Sequence, residues 1–262
     1  MKIVFITIAL LGITGFAIKS ISGRSGSCPK PASAFASVAT TTYDTTGIAV
    51  VELFTSEGCS SCPSADALLA ELDAEKKKDV YVLSYHVDYW DRLGWKDAFS
   101  KPEWTARQAA YVNHFNLESS YTPQAVVNGT EEFVGSGKLQ LYTAVDNSLR
   151  KSGREPLQIK ATKQGDIVNV TYTTMPLKNA VINFALVQSE ASTRVGRGEN
   201  SGKELHHINV VRDLISVPAT QNSSAVSFIV PRNFSAGAYK VIAFMQNKTN
   251  FEIVSATKTY IQ

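Results

Sequence analysis

Two cysteines three positions apart, Cys59 and Cys62 in Phe54-Thr55-Ser56-Glu57-Gly58-Cys59-Ser60-Ser61-Cys62-Pro63, stand where a strand pattern gives way to a helix pattern. The run from Ile48 to Phe54 is apolar and β-branched enough for a buried strand, whereas Ala65, Leu68, Leu69 and Leu72 recur at helical spacing. Cys59 therefore falls at a helix N-terminus. There the positive end of the macrodipole and unpaired N–H groups favour a thiolate, drawing a cysteine below its free pKa of about 8.5. Pro63 suits the first helical turn, where its missing N–H costs little. Such a unit is built for thiol–disulfide exchange. The alternative is a closed structural staple, but closing a four-residue loop stabilises little.

The N-terminus reads as a signal peptide over residues 1–22: Lys2, an apolar run from Ile3 to Ile18, Lys19, then small residues including Ser20 and Ser22. The run is shorter than the roughly 20 residues of a spanning helix, and no later segment approaches one. A periplasmic or secreted protein is expected, with no stable membrane span after cleavage; retention of the signal as an anchor is the alternative. Residues 23–46, rich in Ser, Thr, Ala and Pro, read as a flexible leader. Cys28, in Ser27-Cys28-Pro29-Lys30, lacks the apolar residue expected three positions before a lipidated cysteine and reads as a free thiol or one lost with the signal. Export also permits a persistent disulfide. With a formal net charge of only +3, nothing points to a nucleic-acid partner.

From Gly47 the pattern runs strand (48–54), helix (61–77), strand (80–87), a helical insert (95–115), strand (124–128), strand (132–134) and helix (138–151). Asn128-Gly129 marks a hairpin turn. After Gly153 only β-prone segments follow, at 157–161, 167–173, 180–187, 225–230, 239–246 and 252–260, which predicts a β-sandwich. Between them, Glu190 to Asn209 reads as a polar loop of a length that is usually functional or disordered. Its stretch from Arg194 to Arg212 is expected to dock against the first domain, since ordering it needs a packing surface.

The element order over residues 47–153, with Thr122-Pro123 opening a strand, resembles the thioredoxin fold. That resemblance implies a cis peptide bond at Pro123 facing the active-site disulfide. Gly58 departs from it, standing where thioredoxins usually carry tryptophan. More specifically, Val51 to Pro63, His86-Val87-Asp88-Tyr89-Trp90, Tyr121-Thr122-Pro123-Gln124 and the run from Gly198 to Arg212 are similar to a family of exported bacterial proteins, domain of unknown function 1223. The resemblance implies a fold and no established reaction. The expected architecture is thus an α/β thioredoxin-like domain (47–153) followed by an all-β sandwich-like domain (154–262).

His86 and Asp88 end the second strand, whose C-terminal edge should meet that of the first. His86 can there move protons or stabilise a thiolate, complete a soft Cys59, Cys62 and His86 site for copper(I) or zinc, or simply bond to backbone. Tyr89, Trp90, Trp95 and Trp104 read mostly as core, with a rim platform as the alternative. His206 and His207 point to opposite faces of any strand and so do not share a metal. The function these features predict is an exported thiol–disulfide oxidoreductase needing no cofactor, acting on a protein or small-molecule thiol or disulfide. Cys59 attacks, Cys62 resolves, Pro123 shapes the groove, and His86 and Asp88 support the site. The alternatives are a copper(I)- or zinc-binding protein and a non-enzymatic binding module.

Overall fold

The computed structural model describes residues 47–151, 153–230 and 234–262; the expected signal peptide, the leader and Cys28 lie outside the described residues. Strand β1 (Ala49–Thr55) is buried along its whole length, as its apolar run requires. It pairs in parallel with β2 (Val80–His86), from Ala49 opposite Val80 to Thr55 opposite His86, and antiparallel with β3 (Gln124–Val127). Between β1 and β2, α1 (Cys62–Ala74) buries Ala65, Leu68, Leu69 and Leu72, the stripe expected of it. Asn128 and Gly129, with φ of 48° and 69°, turn β3 into β4 (Glu131–Val134), and α3 (Lys138–Arg150) follows. The expected insert helix is shorter: α2 spans Pro102–His114, because Lys101 before the proline is extended and residues 95–101 are left free to fold back on the site.

The second half holds β5 (Leu157–Gln164), β6 (Ile167–Thr174), β7 (Ala180–Arg194), β8 (Glu204–Pro218), β9 (Ser223–Ile229), β10 (Tyr239–Asn247) and β11 (Ile253–Tyr260). These strands do not form a separate sandwich after an α/β thioredoxin-like domain, and that expected fold class is overturned. One mixed eight-stranded sheet, in the order β11-β10-β7-β8-β2-β1-β3-β4, crosses the expected boundary near Gly153, leaving only β5-β6-β9 as a second sheet. The join is narrow: β8 meets β2 in parallel through the pair Ser84 and Val210.

The physical reason lies in the segment taken for a loop. Residues 190–209 are the far half of a long hairpin in which β7 and β8 are 15 residues each. Leu205, His207 and Asn209 are buried while Glu204 and His206 are exposed, a period of two that its polar composition disguised. Burial also crosses the boundary. Val50, Phe54, Leu83 and Tyr85 share a core with Val187, Val211, Ile242 and Phe244, and the described residues belong to one compact unit. Deep in that core, Arg107 of α2 pairs with the buried Glu52, which also accepts from Tyr111, while Arg107 Nη2 donates to Gln246 of β10 at 3.2 Å.

Candidate functional site

Cys59 and Cys62 form a disulfide at the start of α1, with Cα atoms 5.4 Å apart and both residues fully buried. The turn leading into it is tied by Cys59 N–H to the Ser56 carbonyl at 3.2 Å and by Gly58 N–H to Ser56 Oγ at 3.1 Å. The absence of a side chain at Gly58 has a local cause, since a Cβ there would stand 3.0 Å from Trp90 Cβ. Trp90 then reaches on, donating from Nε1 to Thr122 Oγ1 at 2.8 Å. The Thr122–Pro123 peptide bond is cis, and the Thr122 carbonyl lies 3.5 Å from Ser61 Oγ, so this segment flanks the cysteine turn.

Beneath the turn lies a buried cluster of acids and histidines. Asp66 is on the same face of α1 as Cys62, one turn on. His207 stands between two carboxylates, with Nδ1 3.5 Å from Asp66 Oδ2 and Nε2 3.6 Å from Glu57 Oε1. Burial works against its charge, but the two acids prevail and raise its pKa to about 9. Its ring meets that of His86 edge-on, centroids 4.6 Å apart. His86 Nδ1 in turn lies 2.7 Å from Asp97 Oδ2, which also accepts the Glu57 N–H at 2.9 Å. Burial pushes the Asp97 carboxyl up, yet His86 and the N–H groups of Glu57 and Phe99 bring it below the usual carboxylate range. Glu57 is held from its other side by Trp95 Nε1, 2.7 Å from Oε2.

The cluster and the disulfide share a cover, the tip of the β7–β8 hairpin. Asn200, fully buried, donates from Nδ2 to the carbonyls of both Glu57 and Cys59 at 2.9 Å. Glu199 accepts the Ser60 N–H at 2.9 Å, and the Ser60 hydroxyl together with this N–H lowers its pKa. Gly196 lets the tip lie flat on Trp95, as a Cβ there would come within 3.0 Å of the indole. The docking expected of residues 194–212 is therefore present, made by a hairpin in place of a loop.

Of the residues singled out from the sequence, Cys59, Cys62 and the Thr122–Pro123 segment come together. His86 joins the site through Asp97 and His207. Asp88 does something local: its Oδ1 and N–H both engage Thr105 Oγ1, at 2.6 and 3.1 Å, anchoring α2 to the end of β2. His206 and His207 do point apart, His206 to Ser192 Oγ at 2.8 Å on the outside. Glu57, Asp66 and Asp97 were missed as site residues. Asp66 alone carried a local signal, a carboxylate on the apolar stripe of a helix. Among the described residues no three His, Cys, Asp or Glu side chains are grouped to hold a metal ion, and no helix is long and apolar enough to cross a membrane.

No curated protein matches the chain. Among solved structures, protein AGR_C_4864 from Agrobacterium tumefaciens is similar at 27% identity and a TM-score of 0.60, over 82% of this chain and 95% of that one. HBP35 of Porphyromonas gingivalis shares the fold at 18% identity and a TM-score of 0.57, over 83% of this chain and 76% of its own. The profile described as "Protein of unknown function (DUF1223)" matches residues 50–246, from β1 to β10 and so across both halves of the large sheet, and the chain belongs to that family.

Proposed function

We propose that the protein is an exported thiol–disulfide oxidoreductase whose redox group is Cys59–Cys62. The observation that carries this reading is a disulfide closing a four-residue turn at a helix start, flanked by Thr122–Pro123 and backed by buried ionisable groups. A disulfide kept only for stability has little use for that surrounding chemistry, because so short a loop constrains the unfolded chain weakly. In the oxidising direction a substrate thiolate attacks Cys59 Sγ, the Cys59–Cys62 bond breaks, and Cys62 leaves as a thiolate that takes up a proton. A second substrate thiol then attacks the mixed disulfide, giving a substrate disulfide and the protein dithiol. The reverse sequence reduces a substrate disulfide. His207, held charged between Asp66 and Glu57, serves as the proton reservoir for Cys62, while Pro123 borders the substrate groove. Since Cys59 and Cys62 are fully covered in the closed structure, the hairpin tip lifts for exchange with any thiol.

The test is trapping with a dithiol peptide. Cys62→Ser, in which only the attacking thiol survives, should accumulate mixed disulfides, whereas Cys59→Ser should accumulate none. Equal trapping by both variants rejects this division of labour. Thiols protected only by copper(I) or zinc, with no reversible two-electron couple, would favour a metal-binding protein instead.

A further inference from the structure

The far end of α1, about 18 Å from Cys62 at 1.5 Å per residue, borders a second opening that the redox reading does not use. It is a cleft of about 500 Å³ between the last turns of α1 and the strands β8, β10 and β11, within the size range of small-molecule sites. Leu72, Val80 and Ile208 give it an apolar wall, and Lys76, Lys77, Lys240 and Lys258 gather around it against Asp73 and Glu190.

Two of these lysines have ordinary explanations. Lys76 and Lys77 follow the C-terminus of α1, where cations complement the helix dipole, and Lys77 also pairs with Glu75 at 3.0 Å. Lys258 is exposed and stands over the Tyr81 ring, its Nζ 5.8 Å from the centroid, which leaves Lys240. Lys240 is only 7% exposed, and among the described residues its Nζ has no protein hydrogen bond or ion pair, opening instead into the cleft. Burial lowers its pKa; Asp73 offsets this in part, and Lys258 adds to it. The nearby Asp73 is already engaged, accepting from Asn209 Nδ2 at 2.9 Å. Antiparallel pairing sets Tyr260 opposite Lys240 and Lys258 opposite Ile242, so the two lysines are diagonal neighbours on one sheet face. Like charges so placed repel. Snorkelling accounts for a buried stem, but not for a second ammonium set beside the first at one cleft. An anion between them would relieve the repulsion and give Lys240 Nζ a charged partner in place of solvent.

We propose that this cleft binds a small organic anion, its acid group between Lys240 and Lys258 and its apolar body against Leu72, Val80 and Ile208. Isothermal titration of the full chain with octanoate, and with inorganic phosphate as a probe of the acid group alone, tests it. Octanoate is expected to bind at least tenfold more tightly than phosphate. Lys240→Met, which removes the ammonium and keeps the volume of the buried stem, should fold and lose octanoate affinity at least tenfold; Lys258→Gln should lose several-fold and stands in if the first variant misfolds. Absence of octanoate binding to the wild-type chain, or affinity unchanged in both variants, overturns the site. Phosphate binding as tightly as octanoate overturns the role given to the apolar wall.

Discussion

At the scale of single residues, His207 governs how the site responds to pH. Its folded pKa of about 9 lies above the ordinary value of 6.5, so the stabilisation it contributes is fully present below about pH 6.5 and is lost as pH rises through about 9. The shift corresponds to about 3 kcal/mol. His207→Gln is expected to lose about that much stability at neutral pH, measured by urea unfolding, with the gap from wild type closing toward pH 10. A constant gap across that range would mean that His207 is uncharged in the folded protein. Little of this was legible in the sequence. Cys59, Cys62 and Pro123 announce themselves by spacing and by local pattern, but the buried cluster draws Glu57, Asp66, His86, Asp97 and His207 from separate parts of the chain, and only folding brings them within reach of one another.

At the scale of elements, the β7–β8 hairpin decides access to the disulfide. From the tip Asn200 donates to the Glu57 and Cys59 carbonyls, two hydrogen bonds whose net worth is about 1 kcal/mol each. Asn200→Ala should therefore speed reduction of the disulfide by dithiothreitol about tenfold or more, since about 1.4 kcal/mol is a factor of ten in the open population. An unchanged rate would show that the tip does not gate the cysteines. The elements β1 to α3 were legible because their periodicity is local. The far half of the hairpin was not: its polar and glycine residues suit a loop, and its inward positions include His207 and Asn209, polar groups whose partners sit on β1–α1 residues more than 130 positions earlier.

At the scale of the whole molecule, the sheet and its shared core make the two halves of the chain depend on each other. A fragment of residues 47–153 keeps Val50, Phe54, Leu83 and Tyr85 but loses Val187, Val211, Ile242 and Phe244, which cover them. That fragment is expected to show no cooperative transition in urea and a weak near-ultraviolet circular dichroism signal; a sharp transition would mean that the halves fold independently. The same dependence gives the cysteines a history. Asn200 lies 141 positions after Cys59, and at about 5–20 residues per second a ribosome completes that interval in roughly 7–30 s. Throughout that time the newborn chain carries its thiol pair without the segment that will roof it. The cover over Cys59 and Cys62 is thus made long after the turn it covers, and it can close only on a cysteine pair already synthesised.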